Sequence, residues 1–298
     1  MFHLLPTRKA FAPFACLLLA SLPAAQDKNW ISNGDFAKGL TGWTAGGIGA
    51  SPAIEKFSVN GFRDNDCFGI NAGNLINGPK GPYILSQKVI LAAGRSYSIY
   101  ADIACETISA NASGGIIWIK VAGTEVVRHD YGNVPSQQIL RDVLCSSFQT
   151  KTAGLLLVEV GFERAFAALK GRTPRVRIDN IELRFSTGPT FCMRGPRKPG
   201  NTVTVDVAGR PGIYASFVAV KRVFPGLRIG ALAGTLYLDP ATALLFSQGQ
   251  LDAQGEATIK FTIPNNPVLA GASLWWQAFD LVKDKGRFGV DYHYGIQK

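Results

Sequence analysis

Six residues have the chemistry to hold a sugar if a fold brings them together: Tyr100, Asp102, Trp118, Lys120, Glu159 and Glu163. Flat rings stack against the C–H faces of a sugar, while carboxylates and ammonium groups exchange hydrogen bonds with its hydroxyls. Nothing of comparable specificity points to a reaction. The chain has no Gly-x-Ser-x-Gly elbow and no His-Glu-x-x-His motif, and His129 and His293 lie far apart with no nucleophile signature beside either. Glu159 and Glu163, at i and i+4 of a strand, would stand roughly 13 Å apart at the usual rise per residue. That is too far for either geometry of glycoside hydrolysis. The residues predict a non-catalytic glycan binder. A polysaccharide-degrading enzyme stays as an alternative, because Asp102 and Glu159 could approach across strands.

The elements that must position these residues are strands. Over 97–105, alternation puts Tyr97, Ile99, Ala101, Ile103 and Cys105 on an apolar face and Ser98, Tyr100, Asp102 and Ala104 on the other. Over 116–121, Ile117, Ile119 and Val121 share one face, Trp118 and Lys120 the other. Over 155–163, Leu156, Val158, Val160 and Phe162 oppose Glu159 and Glu163. Each strand therefore has one core face and one face carrying rings or charges. Two readings of that second face stay open. It is either one sugar-binding surface, or a solvated face on which Lys120 pairs with an acid and a loop covers Trp118.

Long helix-period segments are absent and glycine is spread along the chain, which predicts an all-β protein. Asn33-Gly34-Asp35 is turn chemistry, and Trp30, Phe36 and Trp43 are large anchors expected in the core. The stretch Asn29-Trp30-Ile31-Ser32-Asn33-Gly34-Asp35-Phe36, continued by Gly39-Leu40-Thr41-Gly42-Trp43, has a distant partner in Arg177-Ile178-Asp179-Asn180-Ile181-Glu182-Leu183. Together, and with Leu91-Ala92-Ala93-Gly94-Arg95-Ser96-Tyr97 between them, they resemble the opening and closing signature of carbohydrate-binding modules with a galactose-binding-like jelly roll. The resemblance spans roughly Asn29 to Phe185. It implies an antiparallel jelly-roll β-sandwich that binds a glycan on a sheet face or at its end loops. It also implies a structural calcium ion near Asp35 and Asp179, the one cofactor under consideration. This chain has Ala37 where the family often has a Glu ligand, so one oxygen donor is missing.

The rest of the chain frames this module. Residues 1–25 read as a secretory signal peptide, with Arg8 and Lys9 before an apolar run and Pro23-Ala24-Ala25 at its end. The expected order is that leader, a jelly roll over 28–186, a Pro/Gly-rich linker over 187–200 and a second, smaller β-sandwich over 201–298. The last resembles, loosely, small sandwich modules of secreted bacterial proteins, through Leu251-Asp252-Ala253-Gln254-Gly255-Glu256-Ala257 and Trp275-Trp276-Gln277-Ala278. With Trp276 inward, Trp275 would point out, as a ligand contact or as part of a domain interface. No later segment could span a membrane, and the protein is expected outside the cytoplasm, extracellular, periplasmic or on the cell surface.

The formal net charge is +10. Removing Arg8 and Lys9 leaves about +8, which would favour an acidic polysaccharide. No nucleic-acid motif is present, and nothing fixes the oligomeric state. A protein partner for a surface structural or adhesion protein is the alternative to a glycan. Outside the leader, Cys67, Cys105, Cys145 and Cys192 allow three pairings. Strand phase suggests Cys105–Cys145, with Cys67–Cys192 tying the linker to the first domain.

Overall fold

A strand with one apolar face must stack that face on a second layer, and this chain does so twice. The computed structural model describes residues 28–47, 51–61, 66–71, 82–107, 111–164 and 174–297. The leader expected at 1–25 lies outside them. The first unit runs β1 (Thr44–Gly47), β2 (Ser51–Lys56), β3 (Asp66–Asn71), β4 (Tyr83–Leu91), β5 (Ser96–Thr107), β6 (Ala112–Ser113), β7 (Ile116–Val121), β8 (Thr124–Asp130), β9 (Asn133–Val134), β10 (Ile139–Gln149), β11 (Gly154–Glu163) and β12 (Pro174–Phe185). Two antiparallel sheets result: sheet I in the order β1-β4-β11-β7-β8, and sheet II in the order β10-β5-β12-β3-β2. Leu85, Ile117 and Val158 of sheet I meet Ile99, Ile103 and Ile178 of sheet II in the core between them.

The second unit runs β13 (Thr190–Arg194), β14 (Thr202–Ala208), β15 (Gly212–Ala219), β16 (Arg222–Leu227), β17 (Leu236–Leu238), β18 (Leu244–Leu251), β19 (Glu256–Thr262), β20 (Ser273–Val282) and β21 (Lys285–Gly295). Sheet III (β13-β14-β19) and sheet IV (β18-β15-β20-β21) enclose Phe191, Val205, Trp276 and Val290. The fold class is thus the all-β, two-sandwich arrangement expected. Among the described residues, no helix is long and apolar enough to cross a membrane.

The opening and closing stretches meet, as their pairing in sequence suggested. Trp30 N donates to Leu183 O at 2.8 Å and Ile181 N to Gly34 O at 3.0 Å. Asn29 Oδ1 accepts from Ile31 N and Leu183 N. A Cβ on residue 34 would strike the Ile181 carbonyl oxygen, so the contact needs glycine there. Phe36 is fully buried, stacked on Trp43, whose indole Nε1 donates to Asn33 O at 3.0 Å.

Sheet II is covered on both sides. Along β5, Tyr97, Ile99, Ala101, Ile103 and Cys105 face the first core. Ser98, Tyr100, Asp102 and Ala104, on the other face, are also buried. Tyr100 and Val143 belong to the core of the second unit, which docks there. The stretch 187–200, expected as a linker, contributes to this docking. It contains strand β13, and its Arg197 is 1% exposed at the seam.

The disulfide joins Cys145 and Cys192, with Cα atoms 6.1 Å apart, and so staples β10 of the first unit to β13 of the second. Both expected pairings are corrected. Cys145 lies opposite Tyr100 in the ladder and faces the second unit, whereas Cys105 lies opposite Leu140 and faces the first core. The residues of β10 that turn toward the first core are Leu144, which is buried there, and Leu140 and Phe148, which pack against it. Cys67 packs with Val59 and Ala104 in a small separate cluster. Cys67 and Cys105 are buried free thiols, the pKa of each pushed up to about 12 by burial.

Candidate functional site: a cleft between the two sandwiches

The six residues expected to share a surface do not share one. Tyr100 and Asp102 project from sheet II toward the second unit, while Trp118, Lys120, Glu159 and Glu163 project from the outer face of sheet I, with the first core between them. On sheet I, Trp118 is only 3% exposed. Its indole lies across Gly161, its ladder partner on β11, where any Cβ would collide with the ring. The Lys120 ammonium sits 4.2 Å from the ring centroid. Glu159 stands opposite Lys120, and Glu163 pairs with Arg128 at 2.9 Å, which also holds Glu125. Trp118 has no free ring face to offer a sugar. This half of the surface is a packed, ion-paired sheet face.

Tyr100 and Asp102 help to form a cleft of ≈ 210 Å³ with Asn60, Asn180, Glu182 and Arg184 of the first unit and Trp275, Tyr292 and His293 of the second. Strand β12 positions the acidic wall through a bulge between Asp179 and Glu182, with Asn180 at φ 52°. The bulge sets Glu182 opposite Tyr100 on β5. Strands β20 and β21 bring Trp275 opposite His293, their rings 4.7 Å apart. Trp276 is buried in the second core, so alternation leaves Trp275 half-buried on the cleft side. The Arg222 guanidinium lies 5.2 Å from its ring.

Hydrogen bonds fix the floor. Tyr100 Oη donates to Asp102 Oδ1 at 2.6 Å, and Asn180 Nδ2 donates to Asp102 Oδ2 at 2.9 Å. Beneath them, Arg197 Nη2 stands 3.8 Å from Asp102. Burial raises the Asp102 pKa against the pull of Arg197 and of the bonds from Tyr100, Asn180 and Asn60. Burial likewise raises Glu182, opposed by Arg184 and reinforced by Asp291 and Asp102. The Tyr100 and Tyr292 phenols are pushed up by burial and stay protonated at neutral pH.

The far wall is a chain of charges crossing between the units. Arg184 Nη2 holds Glu182 Oε2 at 2.5 Å, Arg184 Nη1 holds Asp291 Oδ1 at 2.9 Å, and Arg222 Nε reaches Asp291 Oδ2 at 2.7 Å. Such a network fixes the relative placement of its members, because removing one leaves a buried charge unpaired. The Glu182 carboxylate and the Asn180 amide line the same cleft as the Trp275 ring. Glu182 had been visible in the sequence only as part of the closing stretch, and His293 only as a lone histidine.

A larger groove of ≈ 440 Å³ lies on the other flank of the interface, lined by Arg128, His129, the Cys145–Cys192 bridge, Arg194, Asp206 and Glu256 among others. No Trp, Tyr or Phe lines it, and its two arginines are held by Glu125, Glu163 and Asp206.

The carboxylates weighed for calcium lie in different surroundings. Asp35 is exposed on its turn, where Oδ1 accepts from Ala37 N. Asp179 is 1% exposed, and its oxygens accept from Asn180. Among the described residues, no group of three His, Cys, Asp or Glu side chains is placed to hold a metal ion.

No protein-family model and no curated protein matches this chain. Among solved structures, it is similar to a CBM61 carbohydrate-binding module in complex with β-1,4-galactotriose, at 16% identity over 53% of this chain and 99% of that one, with a TM-score of 0.33. It is also similar to the tandem CBM22 modules of Paenibacillus barcinonensis Xyn10C, at 11% identity over 89% of each chain, with a TM-score of 0.33. A third likeness is to the enzymatically active domain of bacteriophage CBA120 tailspike protein 4, at 14% identity and a TM-score of 0.35. That match takes in 53% of this chain and spans 21% of the tailspike chain.

Proposed function

We propose that this protein binds carbohydrate without transforming it, and that the sugar sits in the cleft between the two sandwiches. The observation that carries the reading is the convergence of Trp275, Glu182 and Asn180 in one enclosed space of ≈ 210 Å³. A ring surface beside hydrogen-bond acceptors is the combination that a sugar requires. The cleft is composite, since neither unit alone supplies both the indole and the carboxylate. Both Asp102 oxygens are already committed to Tyr100 and Asn180, and the phenols are held protonated, which favours binding over proton transfer. The Cys145–Cys192 bridge supports a place outside the reducing cytoplasm.

The test is a glycan array followed by calorimetry on the full chain, beside Trp275→Ala and Glu182→Gln variants checked for fold by circular dichroism. Binding that falls at least about tenfold in both folded variants is the expected result. Binding indifferent to both would move the site elsewhere, and silence across the array would remove the function. Release of reducing ends from a bound polymer would replace the binder with an enzyme.

A further inference from the structure

We infer that the cleft selects a single uncharged sugar ring, and that acidic sugars are turned away from it in spite of the protein's basic charge. This rests on the cleft being the carbohydrate site. The overall charge of +10 invites the opposite expectation. Ligand charge, however, is judged by the groups that line the site rather than by the sum over the surface.

Two carboxylates, Asp102 and Glu182, line the cleft with one guanidinium, Arg184, and one imidazole, His293. That guanidinium is already divided between Glu182 and Asp291. Arg197, beneath the floor, faces Asp102 and is 1% exposed. Arg222, with its guanidinium 5.2 Å from the Trp275 ring, is held by Asp291. Each of these arginines therefore already faces a carboxylate of the protein itself. An incoming anion would meet the Glu182 carboxylate, which Arg184 holds as an ion pair at 2.5 Å. Like charges brought together in a partly desolvated site repel each other and suppress the wrong ligand. A neutral sugar instead brings hydroxyl donors to the acceptor groups of Glu182 and Asn180, both of which line the cleft.

Size limits the ligand as charge does. The ≈ 210 Å³ of the cleft falls below the roughly 300–1,000 Å³ that enclose a drug-sized ligand. Its floor is closed by Tyr100 and Tyr292, whose rings lie 5.4 Å apart. One ring fits there, and a second can only rest at the mouth. The arrangement suits the end of a chain or a short branch.

The test uses the full chain and matched oligosaccharides that differ only in the terminal sugar: galactose against galacturonate, glucose against glucuronate, mannose against mannuronate, each at pH 7. For whichever neutral sugar binds, the uronate partner is expected to bind about tenfold or more weakly. Glu182→Gln should narrow that gap. Across a length series of the neutral sugar, affinity should level off by the disaccharide. A uronate that binds as well as its neutral partner, through a site sensitive to Trp275→Ala, overturns the selectivity and leaves the cleft as the carbohydrate site. Affinity that climbs steadily to the hexasaccharide overturns the single-ring limit. Failure of every oligosaccharide, neutral and acidic, removes the carbohydrate reading itself.

Discussion

The outer faces of sheet I and sheet II carry similar sequence patterns and have different fates. Each alternates a core residue with a ring, an acid or a lysine. On sheet I, the ring of Trp118 folds down over Gly161 and the charges pair along the surface, Glu163 with Arg128. On sheet II, a second sandwich lands on Tyr100 and Val143, and the acids left at its margin become the wall of a cleft. Alternation establishes that a face is not the first core. What meets the face is decided elsewhere, by a glycine across the ladder in one case and by a domain distant in sequence in the other.

The largest effect expected from breaking this comparison is on sheet I. Trp118→Ala empties a site that is only 3% exposed and should cost about 3–5 kcal/mol of stability, measured by urea unfolding. Under conditions where the variant remains folded, glycan binding should be unchanged, because the indole lies on the far side of the first core from the cleft. The contrast with Trp275→Ala is the point: one tryptophan is predicted to matter for folding, the other for binding. A Trp118→Ala protein that is stable but no longer binds would reverse the assignment of the two faces.

The seam at sheet II comes next. The Cys145–Cys192 bridge spans 47 residues of sequence and lies beside Tyr100 in the ladder. Replacing both cysteines with serine should cost about 2–4 kcal/mol. Because the bridge ties the two units, the loss should include weaker sugar binding, as Trp275 and Glu182 are held together less firmly. Full affinity in the serine double variant would show that the ionic chain from Glu182 through Arg184 to Asp291 holds the cleft unaided.

Much of this architecture could be read from the sequence, and the exceptions have identifiable causes. The strands alternated plainly, Phe36 and Trp43 were expected in a core, and the pairing of Asn29 to Asp35 with Arg177 to Leu183 was visible through its resemblance to the opening and closing signature of a jelly-roll family. The candidate site was half legible. Tyr100 and Asp102 were found because they interrupt an apolar strand, yet their covering partner begins some 90 residues later, with Thr190. Glu182 reaches the cleft only because a bulge at Asn180 shifts its register, and no local pattern announces a bulge. The Cys145 phase was misjudged for a related reason. Val143 and Cys145 are indeed on a buried face, but the core that buries them belongs to the second unit. Trp118 stands apart: its burial turns on the absence of a side chain at Gly161, information carried by a different strand.

The smallest predicted effect sharpens the comparison at the point where both sheets and the second unit meet. His129 extends from β8 of sheet I and lies 3.8 Å from Asp142 on β10 of sheet II. Asp142 Oδ1 in turn accepts from Gly195 N of the second unit at 3.0 Å. The ring packs edge-on against Tyr131 at 4.5 Å. Burial lowers the His129 pKa, with Asp142 and Asp130 opposing and Arg194 assisting. The sign of the consequence is fixed by linkage. The unfolded chain takes up a proton near pH ~6.5, and the folded chain does so only at lower pH. Between those two values the unfolded state holds the extra proton, so stability falls as pH falls through that window. Thermal unfolding of the native chain at pH 8 and pH 5.5, compared with His129→Gln, isolates this contribution from the carboxylates that both proteins share. The native chain should lose more stability on acidification than the variant does. Equal losses would mean that Asp142 compensates fully for burial, and that the junction of the three sheets is indifferent to protons.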